Sequence, residues 1–194
     1  THLQPTPLWD RILLHQMEPE CKALAEILIG RLFYPIGNFD NWQVCPFFLG
    51  DGNTGKSTIL DRIRAMFPQG SVGCLTANKE AVFGLESLIS KRLVQAPDMP
   101  KRMQPILDQT LFQSMCSGEP VSVARKNLKA LADQPWKVPL VFAANAFPED
   151  YNDSSGSISR RFVVFKFLNL VAERDAHLKR KIIESELVSL MLRC

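Results

Sequence analysis

The segment 50-GDGNTGKS-57 follows the pattern G-x-x-x-x-G-K-[ST], and it decides the fold. A short apolar run at residues 44–49 precedes it and is typical of a buried strand, and residues 58–67 after it have the spacing of a helix. A glycine-rich turn between a strand and a helix lets successive backbone N–H groups point at an anion, and the helix adds the positive end of its dipole. The sequence therefore predicts a phosphate-binding loop.

The residues of this loop have separate predicted roles in binding ATP and Mg²⁺. Lys56 brings a compact positive charge to the β- and γ-phosphates, and Ser57 offers its hydroxyl to Mg²⁺. We expect the Lys56 side chain to be exposed, so that its loss would cost little stability. The predicted nucleotide-contacting residues are Gly50, Asp51, Gly52, Asn53, Thr54, Gly55, Lys56, Ser57 and Thr58.

Composition narrows the class of protein. The chain has 194 residues, of which 46% are hydrophobic and 22% charged, so we expect one folded domain, with at most a small appendage. Five scattered cysteines without a CxxC pair, and three scattered histidines, argue against a disulfide scaffold and against a zinc site. No apolar run approaches the roughly 18 residues of a membrane span, and no signal peptide is present. Because the chain begins with Thr1, we expect a fragment of a longer polypeptide.

Helical and strand patterns alternate along the chain, which predicts an α/β fold with a largely parallel sheet between helices. We expect an N-terminal helical segment at 1–43 (the end of an upstream helical or collar region), an ATPase core at 44–170 and a C-terminal helix packed on the core at 171–194. The predicted helices cover residues 8–34 (divided at Pro19), 58–67, 85–89, 103–116 and 171–192. The predicted strands cover residues 44–49, 92–96, 138–144 and 162–167, with 121–124 as one arm of a hairpin.

Asp98 is the candidate second acid of the site. It follows the short strand 92–96, where a carboxylate would hold Mg²⁺ through water. The alternative is a loop aspartate with no catalytic role. Met99 stands where a catalytic glutamate would follow, so the general base stays open, with Glu80, Glu86 and Asp108 as unranked candidates.

Asn145 and two arginines are the remaining catalytic candidates. Asn145 ends the apolar strand 138–144, where an amide can orient water and contact the γ-phosphate, although a plain turn residue would also fit there. Arg160 and Arg161 precede the strand 162–167, where a guanidinium could enter the site of a neighbouring subunit as an arginine finger. Their alternative is a pair of solvated surface arginines.

A basic stretch lies between these motifs. Residues 121–137 contain four basic residues and one acid, and read as a strand leading into a basic turn. Arg125, Lys126 and Lys129 would contact the phosphates of single-stranded DNA without reading its sequence. An ordinary solvated loop is the alternative.

The order of these motifs resembles the superfamily 3 helicases, the AAA+ motors of DNA viruses, phages and plasmids, and most closely the helicase domain of the poxvirus-type and phage-type primase-helicases. The likeness extends over about residues 8–168, and the segments that carry it are TPLWDRIL, FFLGDGNTGKSTIL, SGEPVSVARKNLK and VPLVFAANAFPEDYNDSSGSISRRFVVFKF.

The resemblance implies a role for each motif. Lys56 and Ser57 fall on the first motif, Asp98 on the second and Asn145 on the sensor. Arg125, Lys126 and Lys129 fall on the DNA-contacting hairpin, and Arg161 falls on the arginine finger, with Arg160 the second choice.

The resemblance also implies a homo-hexameric ring with ATP between subunits and 3′-to-5′ movement along single-stranded DNA. Whether a primase domain belongs to the same polypeptide is left open by the sequence. An intracellular location is implied as well, in the host cytoplasm or nucleus if the protein is viral, and not secretion.

Two other functions remain open at this point. A small P-loop nucleoside or nucleotide kinase would have the same phosphate loop, with Arg160 and Arg161 in a phosphate-clamping lid. A nucleotide-gated assembly module without helicase activity would fit if Asp98 does not hold Mg²⁺.

Overall fold

A computed structural model describes residues 4–76, 85–123, 131–172 and 175–194. Within these ranges, five parallel strands form one sheet in the order β2-β3-β6-β1-β7, which confirms the predicted α/β class. The strands are β1 (Cys45–Leu49), β2 (Val72–Cys74), β3 (Leu93–Met99), β4 (Pro120–Val123), β5 (Leu131–Pro135), β6 (Leu140–Ala144) and β7 (Phe162–Lys166). The helices are α1 (Pro7–Leu14), α2 (Pro19–Arg31), α3 (Lys56–Ala65), α4 (Gln109–Ser117), α5 (Leu178–Ser185) and α6 (Leu187–Arg193). In this described part of the chain, every helix is too short or too polar to cross a bilayer.

Two hydrophobic cores cover the two faces of the sheet. Successive residues of β6 alternate between them, so that Val141 and Ala143 pack with α1, α2, α3, α5 and α6, while Phe142 and Ala144 pack with α4 and the β4–β5 hairpin. This alternation follows from the two-residue period of a strand. Every residue of β6 is buried, as expected for a strand covered on both faces.

Strand β1 lies in the sheet interior, paired with β6 on one side and β7 on the other. Pro46 is its second residue, and a proline near the start of a strand removes little of the ladder. Because parallel strands end at the same edge of a sheet, the residues after β1 and β6 and the last residues of β3 come together there. The phosphate loop, Asp98 and Asn145 therefore belong to one edge.

The prediction of a single helix over 171–192 is wrong. The structure has α5 and α6 instead, with the break at Glu186. The Glu186 carboxylate accepts hydrogen bonds from the backbone N–H groups of Leu8 (2.8 Å) and Trp9 (2.9 Å), at the N-terminus of α1. Glu186 thus caps α1 from the opposite end of the chain. The same residue separates α5 from α6.

Three smaller predictions also differ from the structure. Helix α4 begins at residue 109 instead of 103, because the Asp108 side chain caps it by accepting from the backbone N–H groups of Thr110 and Leu111. Residues 85–89, predicted as helix, lie in a series of turns. Strand β2 was not predicted, and it adds an edge to the sheet beside β3.

The predicted hairpin arm corresponds to β4, which pairs with β5 in antiparallel fashion. The connection between these strands, residues 124–130, lies outside the described residues, and with it Arg125, Lys126 and Lys129. The DNA-contacting role of these three residues stays a prediction.

A cluster of four charged side chains and one tryptophan, the terminal clamp, joins α1, α2 and α6. Its members are Trp9, Asp10, Lys22, Glu26 and Arg193. Oε1 of Glu26 accepts from the Trp9 indole N–H (2.9 Å), from Lys22 (2.9 Å) and from Arg193 (2.6 Å), and Arg193 also bonds to Asp10. Helices from the two ends of the chain therefore form one packed group on a face of the sheet.

Candidate functional site

The phosphate loop leaves β1 at Gly50 and enters α3 at Lys56. A Cβ atom at Gly50 would lie 1.9 Å from the carbonyl oxygen of Phe167, so only glycine fits where the loop passes the end of β7. Gly55 has a φ of 97°, in the left-handed region that favours glycine. Gly50 is thus required because the chain after β7 passes close to it, and Gly55 is required because of its backbone conformation.

The Lys56 side chain lies inside the loop and is only 9% exposed. Its Nζ donates to the carbonyl oxygens of Gly50 (2.5 Å) and Asp51 (2.6 Å) and to Oδ1 of Asn145 (3.2 Å). Burial lowers the pKa of Lys56, and the nearby charges of Asp51 and Asp98 oppose that shift. The expectation of an exposed lysine is therefore wrong, because the loop's carbonyl groups surround the ammonium.

Asp98 is the penultimate residue of β3, beside a bulge, and does not follow the strand as the sequence predicts, because β3 extends to Met99. Ala96 pairs with Phe142 and Met99 pairs with Ala144, so β3 has one residue more than β6 over this interval. Pro97 lies in this bulge, where its missing N–H is tolerated. The bulge leaves Asp98 exposed at the same edge as Lys56 and Asn145, while Met99, whose thioether cannot act as a base, is buried in the core.

The phosphate loop, Asp98 and Asn145 line a cleft of about 1000 Å³. This volume lies at the upper end of the range of small-molecule sites, about 300–1000 Å³. One wall comes from α1 and the residues after it, and the other from the chain after β7. The residues of the two walls are Arg11, Ile12, His15, Gln16, Val171, Ala172, Asp175, Ala176, Leu178 and Lys179.

These wall residues were missed by sequence reasoning. The helical spacing in α1 identified the buried face, with Trp9 and Leu13, and says nothing about what the other face contacts. Lys179 forms an ion pair with Asp61 of α3, which brings α5 beside the phosphate loop's helix. No local signal in the sequence would have found a wall built from the two ends of the chain.

The two arginines differ in exposure. Arg161 is 6% exposed, and its guanidinium donates from Nη1 to the Ser157 carbonyl (2.6 Å) and from Nη2 to Oγ of Ser117 (3.0 Å). Arg160, the preceding residue, lies with Arg161 in a short 3-10 helix (Ser159–Arg161) and is exposed. Neither arginine lines the cleft of its own chain.

The structure describes two of the three candidate bases, and neither of them lies in the cleft. Asp108 caps α4, and Glu86 lies in the turns before β3; neither lines the cleft. Glu80 lies outside the described residues. Of the acids considered from the sequence, Asp98 is the one that lines the cleft, and Asp175 lines it as well.

Ser57 and Asp98, the Mg²⁺ ligands predicted from the sequence, both line the cleft. Their hard oxygen atoms suit Mg²⁺, which takes few protein ligands and completes its shell with waters and phosphate oxygens. Across residues 4–76, 85–123, 131–172 and 175–194, no three His, Cys, Asp or Glu side chains come together as a dedicated protein metal site would require. The donor set thus fits a metal that arrives with a nucleotide.

Solved structures share this fold. The apo structure of the NrS-1 C-terminal region (residues 305–718 of that protein) matches with a TM-score of 0.70 and 18% identity, over 99% of this chain and 46% of that one. A structure of JCV helicase with a bound acetamide compound matches with a TM-score of 0.54 and 15% identity, over 94% of this chain and 50% of that one. The chain thus spans about half the length of these structures, and the likeness places its fold among helicase-like α/β folds.

One protein-family model also matches the sequence. It is described as a family of unknown function, DUF5906, and it covers residues 48–161. The match runs from the end of β1, through the phosphate loop, β3 and β6, to the arginine pair, and so includes each of the motifs placed above. Because it covers more than half of the chain, the protein belongs to the family of unknown function DUF5906.

Proposed function

We propose that the chain is the ATPase domain of a superfamily 3, AAA+ type helicase, which binds ATP with Mg²⁺ and uses its hydrolysis to move along single-stranded DNA. The observation that carries the proposal is the convergence of Lys56, Asp98 and Asn145 in one cleft, from three neighbouring parallel strands. Structural similarity to JCV helicase over 94% of the chain supports the helicase part of the proposal.

Each converging residue has a task in this proposal. Lys56 would exchange its bonds to loop carbonyls for phosphate oxygens, and Ser57 and Asp98 would hold the Mg²⁺ that neutralises the triphosphate. Asn145 already accepts a hydrogen bond from Lys56, which supports a role for its amide in orienting the γ-phosphate and the attacking water.

The apolar part of the cleft suits a nucleobase. The aliphatic residues Ile12, Val171, Ala172 and Leu178 and the imidazole of His15 all line the cleft. A flat aromatic base packs well between aliphatic side chains, and the phosphates would then extend toward the loop.

We further propose a homo-hexameric ring in which Arg160 completes the site of the next subunit. The exposure of Arg160 supports this choice, because a finger must leave its own chain, whereas Arg161 is buried and bonded to Ser157 and Ser117. The sequence-based ranking of Arg161 above Arg160 is thus reversed in this proposal.

The basic hairpin with Lys126 and Lys129 would contact DNA, and a primase domain in the same polypeptide would complete the replication protein.

The kinase alternative has less support. A phosphate-clamping lid would bring an arginine over the nucleotide, and neither Arg160 nor Arg161 lines the cleft.

The division into a helical segment (1–43), an ATPase core (44–170) and a C-terminal part (171–194) is kept as part of the proposal.

The test is an ATPase assay without any acceptor nucleotide, with and without single-stranded DNA, alongside mass measurement in solution. DNA-stimulated phosphate release by an ATP-dependent oligomer, lost in Lys56→Ala and kept in the exposed control Lys166→Ala, would support the proposal. Phosphate transfer to an added nucleoside would support the kinase instead. ATP binding without turnover in an assembled, DNA-bound state would support the assembly module.

A further inference from the structure

The Gln16 side chain joins three segments of the chain that are far apart in sequence. Its Nε2 donates to the carbonyl oxygen of Thr54 in the phosphate loop (2.9 Å) and to that of Asn169 after β7 (2.6 Å). Its Oε1 accepts from the backbone N–H of Asn169 (2.9 Å). Both donors of the amide and its carbonyl oxygen are therefore engaged, which fixes the orientation of the group.

A second bond acts on the same part of the loop. The backbone N–H of Val171 donates to the carbonyl oxygen of Asn53 (2.9 Å). Gln16 and Val171 thus hold two successive loop carbonyls, those of Asn53 and Thr54, toward the walls of the cleft. The Asn169 side chain donates in turn to the carbonyl oxygen of His15, which anchors the end of α1 to the same segment.

Peptide planarity links these carbonyls to the N–H groups that would meet a phosphate. In a trans peptide the C=O of one residue and the N–H of the next point in opposite directions. Holding the Thr54 carbonyl toward Gln16 therefore turns the Gly55 N–H away from Gln16. Holding the Asn53 carbonyl toward Val171 likewise orients the Thr54 N–H. An anion cradle requires N–H groups that are fixed in one orientation, so holding these two carbonyls bears on phosphate binding.

We propose that Gln16 is a positioning residue that pre-organises the phosphate loop, by fixing the peptide between Thr54 and Gly55 for phosphate binding. The inference rests on the proposed function, because it assumes that the loop binds nucleotide phosphates. It assigns to a residue near the start of the chain, outside the phosphate-loop motif, part of the affinity for the phosphates.

The test uses Gln16→Met, which keeps the length of the side chain and removes its hydrogen bonds. We expect ADP and inorganic pyrophosphate to bind about two- to ten-fold more weakly, as the loss of one oriented hydrogen bond implies. Competition against a fluorescent ADP analogue measures both ligands. Gln16→Glu, which keeps the acceptor for Asn169 and loses both donors, should weaken them at least as much because it also adds negative charge near the phosphates.

Leu14→Met is the matched control, since Leu14 ends the same helix and is exposed. It should leave both affinities unchanged. If Gln16→Met weakens ADP but not pyrophosphate, Gln16 contacts the base and the positioning role is wrong. If it weakens neither, the role is equally wrong. If the unmodified chain binds no ligand that contains phosphate, the proposed function itself fails, and this inference with it.

Discussion

Replacing Lys56 should affect both the proposed phosphate binding and the stability of the fold. Its ammonium is buried and donates to two loop carbonyls and to Asn145. We expect Lys56→Ala to abolish ATP binding, and also to lower the free energy of unfolding by about 1–2 kcal/mol, since several hydrogen bonds are lost. ATP titration and urea unfolding measure the two effects. Lys166→Ala, at the exposed end of β7, is the control, and ATP binding retained by Lys56→Ala would contradict the phosphate-loop assignment.

The two neighbouring arginines should respond in opposite ways. Arg161→Ala removes bonds to Ser157 and Ser117 from a buried position, so we expect a loss of about 1.5–3 kcal/mol in the free energy of unfolding. Arg160→Ala should keep stability and ATP binding, yet lose most turnover, since an arginine finger is worth about 10³–10⁵ in P-loop GTPases. Urea unfolding and steady-state ATPase assays separate them. A stable Arg161→Ala variant without ATPase activity would restore the sequence-based choice.

At the scale of elements, the terminal clamp should make the molecule sensitive to acid. Burial by itself would raise the pKa of Glu26, but hydrogen bonds from Arg193, Lys22 and Trp9 outweigh it, so the pKa lies below its ordinary value of 4.5. The stability that Glu26 contributes is therefore fully present above about pH 4.5 and is lost as the pH falls through the lowered pKa.

Glu26→Gln tests this linkage. We expect it to lower the free energy of unfolding at pH 7 by about 1.5–3 kcal/mol, because Arg193 and Lys22 lose a charged acceptor. The variant should also lose less stability than the parent between pH 5 and pH 3. Urea unfolding over that range measures both effects, and Glu184→Gln, in an exposed pair with Arg180, is the control. A pH profile parallel to that of the parent would remove Glu26 from the account.

The basic hairpin should give the chain a salt-dependent affinity for single-stranded DNA. We expect the double variant Lys126→Glu and Lys129→Glu to weaken binding about equally on all sequences and to flatten the dependence of the logarithm of affinity on salt. Fluorescence anisotropy at several salt concentrations measures the slope. Arg180→Glu with Lys181→Glu, on exposed positions of α5, makes the same change in net charge and is the control. An unchanged slope in the hairpin variant would assign Lys126 and Lys129 to a plain surface loop.

At the scale of the whole molecule, two inactive variants should restore activity together. A Lys56→Ala subunit keeps its finger, and an Arg160→Ala subunit keeps its phosphate loop. In a mixed ring, the contact between them contains one intact site. We therefore expect a mixture that exchanges subunits to regain part of the ATPase activity. No recovery in a mixture shown to co-assemble would rule out a finger that acts between subunits.

The parts of the molecule that the sequence predicts are those with local causes. The phosphate loop follows from a fixed spacing of glycines and a lysine, and β6 and β7 follow from apolar runs and alternation, as the observed bounds Leu140–Ala144 and Phe162–Lys166 confirm. Asp98 and Asn145 could be placed at one edge because parallel strands end together.

The parts that the sequence does not predict depend on distant partners. Glu186 interrupts the C-terminal helix because its carboxylate caps α1, 178 positions away from Leu8. Arg161 is buried through Ser117, which no pattern near Arg161 indicates. The walls of the cleft come from opposite ends of the chain. The hydrophobic periodicity of one wall segment therefore does not predict that the other segment lies beside it.

Helix α1 has contacts at both of its ends. Asp10 belongs to the terminal clamp with Arg193, and just beyond the other end Gln16 bonds to the phosphate loop. An α-helix of 8 residues is about 12 Å long, which is too short to bend appreciably. In mechanical terms α1 is a rigid rod pinned at two points. We therefore expect a force applied to the polypeptide near residue 193 to reach the phosphate loop through α1 and Gln16.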